Sequence, residues 1–134
     1  MFLQPKKIKY KKVRKGKLSK FEYKSNTLKF GTIGLKAAES GTITARQIEA
    51  ARQAIVRKIQ RKGKIWVRIF PCVPITKKPT EVRMGKGKGS VAYWAAKIKS
   101  GTVLFEMCGV DDLKSIPALK TGGAKLPIKT IIFS

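Results

Sequence analysis

The chain contains no histidine and only two cysteines, Cys72 and Cys108, among its 134 residues. Without histidine there is no imidazole to act as general base or to activate a serine or cysteine nucleophile, and no Cys/His zinc site can be built. The two thiols lie far apart and neither belongs to a C-x-x-C pair. They fit a reducing compartment, where buried, small-hydrophobe roles are expected of them. Acidic residues are almost as scarce: seven in all, with Asp111-Asp112 the one adjacent pair. That scatter offers no paired carboxylates for acid–base work and no patterned cluster for a metal, so the pair reads as a helix N-terminal cluster favourable to the dipole. No apolar run approaches the roughly 18 residues of a membrane span, and charges interrupt the chain from Lys6 onward, which leaves no secretory h-region. No enzyme, cofactor, metal, membrane segment or small-molecule substrate is expected.

What the chain has is positive charge. Thirty-one Lys and Arg give a formal net charge of +24, while apolar residues make up 43% of the sequence, enough for a modest core in one domain. A compact body so charged repels itself unless a polyanion neutralises it. Nucleic acid is the natural partner, because each phosphate contact by Lys or Arg also releases a condensed counterion. An anionic membrane would accept the same surface, but that reading needs an amphipathic anchor or a lipidation signal.

The cations are concentrated at the N-terminus. Lys6, Lys7, Lys9, Lys11, Lys12, Arg14, Lys15 and Lys17 lead a run of ten basic residues up to Lys24, opposed only by Glu22, with Tyr10, Phe21 and Tyr23 set among them. Residues 1–24 are therefore expected to form an extended basic tail that orders against phosphate, and residues 25–134 a single RNA-binding domain.

Within that domain, Gly31 and Gly34 punctuate a short bent strand between Leu28 and Ala38. Thr44-Ala45-Arg46-Gln47 has the capping-box form, and the helix it opens is predicted to reach about Lys62 and stop at Gly63. Ile48, Ile55 and Ile59 share one face of it, with Arg46, Arg57 and Arg61 on the other. Period-two alternation from Ile65 to Phe70 predicts a strand, and its Lys64 and Arg68 join the candidate RNA contacts. Three prolines in Pro71–Pro79 argue against a regular element there, and a short strand is predicted over Glu81–Met84. Val91–Lys99 and Thr102–Met107 read as strands joined by a two-residue Ser100-Gly101 hairpin. A poorer helix is predicted over Ser115–Leu126, tolerating Pro117 near its start and weakened by Gly122 and Gly123, before a β-type run from Pro127 to Phe133. The sum is an α+β, two-layer domain: a mixed or antiparallel sheet with two helices on one face.

Gly85-Lys86-Gly87-Lys88-Gly89-Ser90 invites a nucleotide-site reading, but Gly89 rather than lysine precedes Ser90 and a β-type segment follows. Neither the P-loop nor the dinucleotide fingerprint is met. As a cationic loop it suits RNA: glycines let the backbone approach closely, and Arg83, Lys86 and Lys88 supply charge. Arg83 has the planar fork for a phosphate or a guanine edge. Trp66 and Trp94 offer ring faces for base stacking, although aromatics on strands are more commonly core.

Four strings, Leu3-Gln4-Pro5-Lys6, Thr44 to Arg52, Gly63 to Pro71 and Arg83 to Gly89, lie in order and in register over nearly the whole chain. They resemble the bacterial-type universal large-subunit ribosomal protein sixteen family, as do Tyr93-Trp94, Leu104 to Met107, Gly109-Val110 and Lys125 to Thr130. The resemblance implies an α+β fold and binding to large-subunit rRNA near the region where aminoacyl-tRNA is accommodated. It implies a tail threaded between rRNA helices and a loop (Arg83, Met84, Gly85, Lys86, Gly87, Lys88, Gly89) facing tRNA and the peptidyl transferase centre. Arg83 occupies the place where relatives can carry a hydroxylated arginine. Late subunit assembly, tRNA binding and neighbouring large-subunit proteins as partners follow from the same likeness. Lysine outnumbers arginine 24 to seven and Ile and Phe are frequent, a bias that fits an AT-rich organellar genome. Placement in the mitochondrial matrix is expected ahead of the plastid stroma, with the bacterial cytoplasm close behind. An RNA-binding module acting off the ribosome is the competing class.

Overall fold

The computed structural model describes residues 3–18 and 20–134; of the tail, Met1, Phe2 and Ser19 lie outside the described residues. Seven strands and two helices follow in the order β1 (Ile33–Ala37), β2 (Gly41–Thr44), α1 (Ala45–Lys58), β3 (Lys64–Val67), β4 (Val73–Thr76), β5 (Val91–Ile98), β6 (Val103–Cys108), α2 (Asp112–Gly123) and β7 (Thr130–Phe133). The α+β class stands. The expected single sheet is two, ordered β3-β6-β1-β7 and β2-β5-β4, and every pairing is antiparallel.

The capping box forms as the sequence dictates. Gln47 N donates to Thr44 Oγ1 at 3.3 Å and Thr44 N donates to Gln47 Oε1 at 2.9 Å, satisfying two amides at the start of α1. The helix ends earlier than predicted. Gln60 and Arg61 take left-handed φ of 55° and 62°. Their amides reach back to Arg57 O (3.1 Å) and Val56 O (3.0 Å), a Schellman closure made without glycine. Gly63 lies beyond it, turning the chain into β3. The buried stripe of α1 is Ile48, Ala51 and Ile55, and it touches strands of both sheets.

Three further expectations are corrected. β4 exists despite Pro74, because it is the edge of its sheet, where a missing amide on the open side costs no ladder bond. Glu81–Met84 forms no strand; the segment is exposed and pairs with nothing. Ser100-Gly101 does turn the chain, with Thr102 N donating to Lys99 O at 3.2 Å, yet β5 and β6 do not pair. β6 is claimed by β1 and β3 in the other sheet, so the turn carries the chain between sheets. Residues 103 to 107 of β6 are all buried, because a central strand covered on both faces has no solvent side to alternate with.

α2 begins and ends three residues before the predicted span. Asp111 sits at its N-cap position and Asp112 in its first turn, as the acidic pair implied. Gly122 is no weakness. A Cβ there would stand 2.4 Å from Ile55 Cγ1, so the glycine is what lets α2 lie against α1. Helix propensity alone makes Gly122→Ala stabilising by about 1 kcal/mol. Overpacking against Ile55 should reverse that sign and cost about 1–3 kcal/mol, read as a lower midpoint in urea denaturation.

Candidate nucleic-acid interface

From Leu3 to Thr32 the described residues form no helix or strand, as an extended tail requires. Lys6, Lys7, Lys9, Lys11, Lys12, Arg14, Lys15 and Lys17 are all exposed. The tail is nevertheless tied to the body at several points. Leu3 packs on the core, Phe21 sits directly over Gly101, and Glu22 N donates to Ser100 O at 2.9 Å. Val103 N then donates to Ser25 O at 2.9 Å.

The firmest tie is Glu106, on β6 and fully buried. Its carboxylate accepts the amides of Lys29 (3.2 Å), Phe30 (2.7 Å) and Gly31 (2.9 Å) and the guanidinium of Arg68. Four charge-assisted donors satisfy a group that would otherwise be costly to bury. Arg68 is thereby turned inward, its side chain 13% exposed and its guanidinium 5.3 Å from the Phe30 ring centroid. Phe30 stacks on Trp66 at 6.0 Å, and Lys64 Nζ lies 5.2 Å from the Trp66 ring. Trp66 and Arg68 thus have internal partners, whereas Lys64 is exposed. Sequence reasoning missed Glu106 as an anchor, although a single acid inside the apolar run Val103–Cys108 was the available signal.

The loop from Arg83 to Lys88 is exposed throughout, with Met84 95% exposed. Gly85, Lys86 and Gly87 have successive φ of 92°, 53° and 81°. A Cβ at either glycine would meet open space, so the left-handed backbone and not crowding demands them. Lys77 N donates to Ser90 O at 3.1 Å and closes the base of the loop, and Lys78 Nζ donates to Gly85 O. The tail and loop also hold each other. Lys12 Nζ donates to Lys88 O at 2.8 Å, and Lys88 Nζ donates to Val13 O at 2.5 Å. Both ammonium groups are held by backbone carbonyls, with no carboxylate bonded to either among the described residues.

Arg46 and Arg57 on α1 and Arg61 just past it are exposed, as predicted. Arg52, which the sequence reading passed over, grips Glu49 bidentately at 3.0 and 2.6 Å. That guanidinium holds the Glu49 carboxyl down to about 2, so it stays ionised and neutralised. Of the cysteines, Cys108 is half-buried but Cys72 is exposed, contrary to the buried role expected of both; it lies between Pro71 and the first residue of the edge strand, Val73. Among the described residues no group of Cys, Asp and Glu could hold a metal, and no helix is long and apolar enough to cross a membrane.

Comparison with known proteins adds to this geometry. The family described as Ribosomal protein L16p/L10e matches residues 5–133. A protein of Erythrobacter litoralis named "Large ribosomal subunit protein uL16" is 55% identical over 128 residues, covering 96% of this chain and 89% of its own. Proteins of the same name from Cereibacter sphaeroides (54%) and Maricaulis maris (53%) align over 130 residues, with 97% of this chain and 95% of theirs covered.

The anchor gives its own test. Glu106→Gln keeps the volume but leaves Arg68 without its counter-charge in a buried setting, and should cost about 3–5 kcal/mol. Limited proteolysis should then cut within residues 25–31 of the variant faster than in the unaltered chain. Equal cutting with unchanged stability would mean the tail is held elsewhere.

Proposed function

The chain belongs to the ribosomal protein L16p/L10e family, and as a structural, non-enzymatic constituent of the large ribosomal subunit we propose that it binds large-subunit rRNA and touches tRNA through the Arg83–Gly89 loop. Neighbouring large-subunit proteins are further partners. The reading divides the chain into a basic tail (1–24) that enters rRNA and an α+β body (25–134) that presents the loop near the tRNA accommodation corridor late in assembly. One observation carries it. The bonds from Lys12 Nζ to Lys88 O and from Lys88 Nζ to Val13 O set the tail beside the loop, so cations of both gather where backbone glycines permit close approach. A mitochondrial site of action rests on the lysine-, isoleucine- and phenylalanine-rich composition alone; the relatives compared are bacterial and lend it no support. Cell fractionation decides that point.

The rRNA contacts belong to Lys6, Lys7, Lys9, Lys11, Lys12, Arg14, Lys15, Lys17, Arg46, Arg57, Arg61 and Lys64. Arg68 acts behind them, through Glu106 and Phe30. An RNA chaperone off the ribosome would leave the protein out of the large-subunit fraction of a sucrose gradient, which is the result that defeats the proposal.

The structure separates two lysines that sequence alone treats alike. Lys88 ties down the tail, while Lys86 makes no side-chain hydrogen bond among the described residues. Lys86→Glu should therefore slow tRNA accommodation while leaving subunit incorporation intact; lost incorporation with normal accommodation would contradict the role given to the loop. Alanine at Lys6, Lys7 and Lys9 together should flatten the salt dependence of rRNA binding, by about 0.7–0.9 in log–log slope for each lost phosphate contact.

A further inference from the structure

Two grooves flank Tyr93 on β5. The larger, about 1240 Å³, runs between the tail, the start of α1 and β5; the smaller, about 510 Å³, lies between the tail and β2. Tyr93 and Thr44 line both, so the two are contiguous. Their chemistry differs. The larger has aromatic and aliphatic walls in Tyr93, Trp94 and Ile8, with Lys11 and Arg46 beside them. The smaller brings Lys15 and Lys97 together with the hydroxyls of Ser40 and Thr42. Glu49 is the only acid on either lining, and Arg52 already neutralises it.

We propose that this double groove holds an unpaired stretch of RNA, with a base stacked on Tyr93 in the aromatic half and the adjoining phosphate between Lys15 and Lys97 in the cationic half. The inference rests on the ribosomal reading and names a partner conformation that reading leaves open. Charge complementarity selects a polyanion, since four cations face the grooves and no free carboxylate does. The larger volume exceeds the roughly 300–1,000 Å³ of small-molecule clefts, which favours an extended chain over a compact metabolite. Ring stacking selects single-stranded RNA over duplex, because paired bases turn their faces to one another and not to a side chain. Tyr93 is 45% exposed, so its ring is open to a base rather than spent in the core.

The full chain carrying Trp66→Phe leaves Trp94, on the groove wall, as its only indole. Titration with hexa-adenylate should quench Trp94 fluorescence. Tyr93→Ala should weaken hexa-adenylate about tenfold, the loss of one stacked base, and leave an abasic ribose-phosphate hexamer of equal charge unaffected. Tyr93→Phe, which keeps the ring, should bind hexa-adenylate as well as the parent does. Circular dichroism of each variant establishes that it is folded, and Tyr93→Phe tests the site even where Tyr93→Ala is not. The proposal is overturned if both hexamers weaken equally in Tyr93→Ala, if duplex RNA quenches as well as the single strand, or if an oligoglutamate quenches better, which would make the grooves a protein site. Binding of the unaltered chain to large-subunit rRNA separates the two readings. Its absence defeats the ribosomal proposal, whereas its presence with Tyr93→Ala indistinguishable on hexa-adenylate defeats the groove alone.

Discussion

A single buried carboxylate holds this protein's shape against its own charge. Glu106 is the one acid with no exposure, in a chain whose net charge is +24. Left unpaired, it would cost more than a domain of this size can spare. Satisfied by three consecutive amides and a guanidinium, it fixes where the tail leaves the body and which side of β3 meets Phe30. The geometry is specific because the amides of Lys29, Phe30 and Gly31 converge on one group, as they do in an anion-binding nest. β1 begins two residues later, already in register with β6.

From that anchor the rest of the charge can be placed outward. Like charges on a small body push the tail away, and only local ties oppose this. The bonds from Lys12 to the Lys88 carbonyl and from Lys88 to the Val13 carbonyl are the most telling of them, because each ammonium is solvated by a backbone carbonyl rather than by an acid. Such an arrangement ties tail to loop without cancelling either charge. In the proposed RNA-binding role, a phosphate at this place would meet both charges undiminished.

What could be read from sequence was whatever local chemistry decides. The capping box at Thr44 and Gln47, the buried face of α1 and the acidic start of α2 all came through, since each depends on residues within a turn or two. The misreadings share a cause in long-range packing. Pro74 argues locally against a strand, but whether proline is tolerated depends on an edge that no local pattern reveals. The Ser100-Gly101 turn has the local form of a hairpin, but the partners of β6 lie 38 to 74 residues upstream. Gly122 looked like a helix weakness, and Ile55 explains it. Of the proposed interface, the exposed cations of tail, loop and α1 were legible from charge density, because solvation keeps unpaired cations at the surface. Arg68 was not, since its burial follows from Glu106.

That distinction between cations bears on how a basic protein should be counted. Arginine is the scarcer cation here, seven against 24 lysines, yet it makes two of the three ion pairs among the described residues. Arg52 forks onto Glu49 and Arg68 bonds Glu106 through Nη1, places where a planar, weakly hydrated group with several fixed donors outperforms an ammonium. Lysine supplies the tail and loop, where flexible stems can follow an irregular phosphate surface. The charge left free to meet a polyanion is therefore smaller than the total, and a lysine-for-arginine exchange should be tolerated along the tail but not at the inward-turned residue 68. Where a cation sits relative to the few carboxylates, more than how many there are, determines what this surface can bind.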